Sequence, residues 1–288
     1  MTRKEKARLV LDRLAERIPR AETELDFGSE FQLLIAVILS AQCTDKRVNL
    51  VTPALFEAYP TAAAMARADA EDLFPFIASV SYPNNKAKAL AKTARMLVDG
   101  YGGEVPRAHA ELVKLAGVGR KTANVVVAVA FGEAAIAVDT HVFRVSNRIG
   151  LTTNAATPLA VEKGLRRVIP RDEWGDAHHL LILHGRYTCK ARAPECDRCP
   201  LTDPGSGPGQ ALCDYYARLQ KLPAPVEGLD AKRGRYWSKT SGRYFDEPAT
   251  KVDRAGVEQI AEPSTGSMNV FDTRTGRTTK KVRDYRIG

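Results

Sequence analysis

The pair of glycines in AELVKLAGVGRKTANVVVAVAFG constrains the fold of this chain more than any other feature. Gly117 and Gly119 flank one small apolar residue, Val118, between two apolar stretches. Glycine adopts positive φ without a Cβ penalty and lets the backbone approach a ligand closely, so this spacing predicts a tight turn joining two short helices. The N–H groups of Val118, Gly119 and their neighbours at the start of the second helix would then form an anion site suited to one phosphate of a nucleic-acid backbone. Such a contact holds the backbone and carries no base sequence. The competing reading is a plain packing corner between helices. After the turn, VVVAVA has the propensity of a strand. The uninterrupted run from Lys121 to Phe131 between Gly119 and Gly132 favours a helix instead.

Helical periodicity recurs along the chain. Ala7, Val10, Leu11, Leu14 and Ile18 place residues 1–20 on an amphipathic helix, and FQLLIAVILSA, apolar on all sides, reads as a helix buried centrally. Residues 52–80 and 86–100 carry further helical patterns, with breaks expected at Pro53, Pro60, the stretch 81–85 and Gly102-Gly103. Residues 155–187 return to the pattern through Leu159, Val161, Leu165, Val168 and Leu180 to Leu183. The longest apolar runs, Phe31 to Ala41 and Val125 to Gly132, are shorter than the roughly 18–20 residues that span a membrane. The charged N-terminus MTRKEKARLVLDRLAERIPR has no apolar signal core, so no membrane association and a cytoplasmic location are expected.

Charge narrows the partners. Lys and Arg number 43 against 34 Asp and Glu, a formal charge of +9 with pI near 9.3. Such a surplus favours a polyanion, because protein cations release counterions from phosphates. Residues 221–288 alone hold 14 Lys and Arg against 9 Asp and Glu, few apolar residues and no sustained periodicity. They read as a basic, weakly ordered extension.

Three groups of residues carry chemistry. Lys121 falls in the first turn of the helix after the glycine turn, where the positive end of the helix dipole, with Arg120 and Arg144, would favour its neutral, nucleophilic amine. It could equally be a simple phosphate contact. Asp139, in AIAVDTHVFRV, is either a helix N-cap or a catalytic carboxylate. Cys189, Cys196, Cys199 and Cys213 lie within 25 residues, apart from a lone Cys43. In a cytoplasmic protein such a cluster points to metal binding, and four thiolates suit either zinc or an iron–sulfur cluster. His141, His178, His179 and His184 read as structural histidines on helices.

SAQCTDKRVN (40–49), LAGVGRKTANVV (115–126), IAVDTHVFRV (136–145) and Cys189-x6-Cys196-x2-Cys199 occur in that order. Together they resemble the endonuclease III family, the iron–sulfur branch of the helix-hairpin-helix-GPD DNA glycosylase superfamily. The resemblance runs from residue 1 to about residue 216. It implies an all-α fold of two helical domains: residues 22–133, six helices with the helix-hairpin-helix, and residues 1–21 plus 134–216, with Asp139 and the cysteine loop. DNA would lie in the cleft between them, and residues 217–288 would follow as the basic extension.

The resemblance also implies a base-excision-repair glycosylase with AP lyase activity, acting on duplex DNA with oxidised pyrimidines or abasic sites, as a monomer associated with the nucleoid. Lys121 and Asp139 match the catalytic pair. Cys189, Cys196, Cys199 and Cys213 match the ligands of a [4Fe–4S] cluster, although 13 residues separate Cys199 from Cys213 where the family usually has five. The Gly/Pro/Ser-rich excess, 202–209, can loop out at modest entropic cost. DNA contacts fall on Gln42, which would fill the gap left by the extruded nucleotide, and on Tyr82, a wedge where the family often has leucine. Gly117, Val118, Gly119, Arg120, Arg144, Lys190 and Arg192 complete the expected contacts. Two other readings stand beside this one. A monofunctional mismatch glycosylase typically lacks the hairpin lysine, and a non-catalytic DNA-binding or electron-transfer protein would keep hairpin and cluster without cleaving.

Overall fold

A computed structural model describes residues 1–202 and 212–219, and beyond them the backbone of six short strands between 236 and 282. Twelve α-helices form among the described residues. The first six are α1 (Arg3–Arg17), α2 (Glu30–Leu39), α3 (Asp45–Ala58), α4 (Ala62–Met65), α5 (Ala70–Ile77) and α6 (Pro83–Tyr101). They are followed by α7 (His109–Leu112), α8 (Arg120–Phe131), α9 (Thr140–Ile149), α10 (Pro158–Val168), α11 (Trp174–Tyr187) and α12 (Asp214–Leu219). The all-α reading holds for this body. The strands add a two-stranded and a four-stranded antiparallel sheet in the extension, where the sequence shows no sustained periodicity. The remainder of the extension and most of the 202–209 insertion lie outside the described residues.

Local chemistry accounts for most helix starts. Thr2 and Glu5 form a reciprocal capping box on α1, and Ser29, Thr44 and Thr157 each cap a helix through the side-chain oxygen. Pro53, expected to break a helix, lies inside α3. Its missing N–H removes one helical bond, and the capped start and buried Val48, Thr52 and Leu55 hold the helix across it. VVVAVA is helical because Val125, Val126 and Val127 are buried on α8, which packs against α2. Packing overrides the β-propensity of valine.

Two hydrophobic cores result. One gathers side chains from Leu25 to Ala137 around α2, itself buried from Leu33 to Leu39. The other joins α1, through Ala7, Val10, Leu11 and Leu14, to residues from Ile136 onward, including all of the clustered cysteines but Cys199, which packs against it. The chain therefore leaves the second core after α1 and returns to it near Ile136, which places α8 and α9, and with them Lys121 and Asp139, where the two cores meet.

Candidate active site

The hairpin turn is built around Gly117, whose φ is +74°; a Cβ there would stand 3.0 Å from Cβ of Ala89 and 3.3 Å from Cγ2 of Ile38. Both the torsion and the space demand glycine. Thr93 on α6 donates to the carbonyl of Ala116 at 2.7 Å and anchors the turn from behind. Val118 is buried, and its N–H is bonded to the Leu115 carbonyl at 3.2 Å, so it is not free for a phosphate as the sequence reading had it. Gly119 is the N-cap of α8, and no side chain caps that helix. The first turn of α8 thus presents its dipole end with only backbone at the cap.

Lys121 follows in that turn and lines a cavity of about 40 Å³ with Asp139, Asp45, His178, His179 and Arg186. Side chains of both cores wall it, Val37 and Val125 from the first and Ile182 from the second. The volume accepts a water or two but not a pyrimidine ring. Although Lys121 as a whole is only partly buried, burial of its ammonium is the first cause that draws its pKa below the ordinary lysine value. Asp139 and Asp45 act in the opposite direction, and Arg186 adds to the lowering. The cation that acts on Lys121 is thus Arg186, not Arg120 or Arg144. Arg186 is held in place by Asp45 at 2.7 Å and by Glu24.

Asp139 takes up one of its two expected roles in the backbone. Its Oδ1 accepts from the N–H of Val142 at 2.8 Å as the N-cap of α9. The same side chain lines the Lys121 cavity, so cap and cavity partner coincide in one residue. Asparagine also caps helices well, so Asp139→Asn separates the roles. In that variant the fold should persist while loss of the carboxylate lowers the Lys121 pKa further. Arg186→Met should raise it. The pH profile of imine formation at an abasic site is therefore expected to move to lower pH in Asp139→Asn and to higher pH in Arg186→Met; shifts in the same direction would refute this electrostatic account.

Arg120 and Arg144, expected on DNA, are engaged within the protein. Arg120 makes a bidentate pair with the buried Glu162 of α10, at 2.8 and 2.7 Å, bridging the two cores. Arg144 donates to the carbonyls of Cys189, Gly185 and Thr140 and faces His141, bracing α9 against α11. Lys190 pairs with Glu195 at 2.6 Å on the exposed cysteine loop, and Arg192 is exposed beside it. Gln42 and Tyr82 sit on neighbouring loops, joined by a 2.7 Å bond from Ser81 Oγ to the Gln42 carbonyl. His178 and His179, read as structural, line the Lys121 cavity, and His178 Nδ1 is buried without a partner. Their adjacency on one helix was the only sequence signal, and Arg186 carried none.

All four clustered cysteines are free thiols. Cys189 follows α11, Cys196 and Cys199 bound a short 3₁₀ turn, and Cys213 precedes α12. Thr202 Oγ1 donates to the carbonyls of Cys196 and Cys199 at 2.6 and 2.8 Å and holds the turn. Burial, with the neighbouring cysteines, pushes the Cys199 thiol up to about 12 and the Cys213 thiol to about 11. Arg148 lies 3.5 Å from Cys189 Sγ and donates to the carbonyls of Lys190 and Ala191, so α9 carries the loop.

A glycine hairpin ending in a partly buried lysine, a carboxylate capping the next helix and two helical cores around them define a helix-hairpin-helix protein. The profile of the HhH-GPD superfamily of base excision DNA repair proteins matches residues 35–171. The chain is 51% identical over 191 residues to endonuclease III of Bacillus subtilis (strain 168), covering 66% of this chain and 87% of that protein. It is 46% identical over 210 residues to endonuclease III of Escherichia coli (strain K12), covering 73% and 95%. A solved structure of a trapped covalent endonuclease III–DNA intermediate superposes with a TM-score of 0.70 at 48% identity, over 77% of this chain and 100% of that one. A thermostable thymine-DNA glycosylase, at 23% identity and TM-score 0.66, shares the fold. The chain belongs to the endonuclease III family and is a base-excision DNA glycosylase with lyase activity. Among the described residues no helix is long and apolar enough to cross a membrane.

Proposed function

We propose that this enzyme removes oxidised pyrimidines from duplex DNA and then cleaves the strand 3′ to the abasic site, with Lys121 as nucleophile and Asp139 as its partner. The observation that carries the reading is Lys121 beside Asp139 in one small cavity, with an amine biased toward its neutral form. The neutral amine attacks C1′ of the sugar, the C1′–N bond to the base breaks, and the base leaves with the bonding pair and takes up a proton. Asp139 accepts the proton released by the amine and balances positive charge on the sugar. Ring opening yields an imine between Lys121 and C1′. The imine acidifies the C2′ proton; its removal expels the 3′ phosphate by β-elimination, and water then frees the lysine.

The two cores support residues 22–133 and residues 1–21 with 134–216 as two domains with DNA between them. Because the cavity holds only water-sized groups, an extruded base requires its walls to part. Lys190 and Arg192 lie on the exposed cysteine loop and suit phosphate contacts, alongside the uncapped start of α8.

Cys189, Cys196, Cys199 and Cys213 would hold a [4Fe–4S] cluster, and through Cys213 it would link the loop to the start of α12. The donor set fits. The thiols are free, and charge on the other three bears on Cys199, which places all four in one neighbourhood. Among the described residues no group of three or more Cys, His, Asp or Glu side chains is gathered closely enough to hold a metal ion.

Duplexes carrying thymine glycol, dihydrouracil or an abasic site, incubated with borohydride, test the assignment. Covalent adducts are expected on all three, with base release preceding cleavage on the first two. Cleavage of the abasic duplex alone would remove oxidised pyrimidines from the substrate range.

A further inference from the structure

Lys86 lies in the first turns of α6, yet its side chain is buried. Its ammonium donates to the carbonyls of Leu39 at 2.8 Å and Ala41 at 2.7 Å. Carbonyls at a helix C-terminus lack intrahelical partners, and a cation is favoured there by the helix dipole. The backbone N–H of Lys86 donates to the Tyr82 carbonyl at 3.1 Å. One residue therefore grips the end of α2, which leads into Gln42, and the start of α6, which begins after Tyr82. Burial draws the Lys86 pKa down, a cost that a surface lysine would not carry.

The two loops it joins are conformationally unusual. Gln42 has φ 54° and Tyr82 φ 56°, both in the left-handed region although neither is glycine. Each such residue costs about 1 kcal/mol or more and persists only where its surroundings over-determine it. Tyr82 is nevertheless 61% exposed, so its side chain does little to hold the backbone. The determination comes from Lys86 and from the Ser81–Gln42 bond.

We propose that Lys86, assisted by Ser81, is a positioning residue that locks the Gln42 and Tyr82 loops into one unit, so that both side chains enter the duplex together where the nucleotide is extruded. The proposal rests on the reading of Gln42 and Tyr82 as duplex-inserting residues. Separate loops would each pay the ordering cost during insertion, whereas a preformed pair has paid it in folding.

The test compares an abasic duplex with the same abasic strand alone, whose aldehyde is open to an amine without any extrusion. Lys86→Met keeps the stem and removes the donors, and Ser81→Ala removes the second link from a less buried position. Lys86→Met is expected to lower kcat/KM on the duplex roughly ten- to a hundred-fold while borohydride trapping on the single strand stays within about two-fold of wild type. Ser81→Ala should shift in the same direction by less, which keeps the proposal testable should Lys86→Met not fold. Equal losses on both substrates would mark a general structural role and overturn it. So would unchanged duplex kinetics in Lys86→Met and Ser81→Ala when Gln42→Ala and Tyr82→Ala are impaired. If those two variants are unimpaired on the duplex, the loop reading itself fails, and the proposal with it.

Discussion

Lys121→Ala is expected to abolish the borohydride-trapped adduct and to slow strand cleavage at an abasic site by about ten-thousand-fold, the scale on which removing a catalytic nucleophile acts. The variant should still fold, because Lys121 lies at the edge of α8 and the buried valines that pack this helix follow it. It should also still bind the abasic duplex, since the hairpin turn depends on Gly117 and not on Lys121. Loss of binding together with cleavage would make Lys121 a phosphate contact. A surviving adduct would place the nucleophile elsewhere. Asp139→Asn offers the contrast: the adduct should persist there, formed more slowly and with its pH profile displaced to lower pH.

The second large effect is expected at the cysteine loop. Cys199→Ser should lower the iron and sulfide content of the purified protein and weaken binding to abasic duplex by about ten-fold or more, as loss of a metal ligand commonly does. The physical route is indirect. Cys199 closes the 3₁₀ turn that Thr202 holds, and the exposed Lys190 and Arg192 lie on the preceding segment. Without the cluster the remaining buried thiols keep their protons, with Cys213 at about 11, and the turn is held to α12 by packing alone. A cluster-free variant with full DNA affinity and stability would contradict this.

The parts of the molecule that were legible in advance are local. Gly117 announced a turn because its torsion and the 3.0 Å approach of Ala89 demand glycine, whereas Gly119, at φ −88° with open space where a Cβ would stand, carries neither constraint. Asp139 before a helical pattern announced an N-cap, and the bond to Val142 forms. The cap depends on a residue three positions away and the torsion on the turn itself, although the Ala89 and Ile38 contacts at Gly117 come from distant parts of the chain. Pro53 was misread because a proline rule considers only its own turn, while the capped start and buried side chains of α3 sustain the helix past it.

What escaped is set by residues far apart in sequence. Arg186 bears on Lys121 from α11, and Arg144 turns inward to meet carbonyls about forty residues on. A basic residue has the same letter whether it faces a phosphate or a carbonyl, and only packing assigns its partner. Lys86 shows the same limit, an ordinary surface-helix lysine by spacing that is buried against α2.

By itself the sequence determined the helices, the glycine hairpin, the place of Lys121 after it and the order of the four cysteines, because turn torsions, caps and periodicity are written within a few residues. Only the tertiary structure decided which charges surround Lys121, which arginines remain for DNA and how the Gln42 and Tyr82 loops are tied. Electrostatic influence and burial depend on distance through space, and the chain reaches those distances only after α1 and the segment beyond Ile136 close into one core that meets the first at the Lys121 cavity.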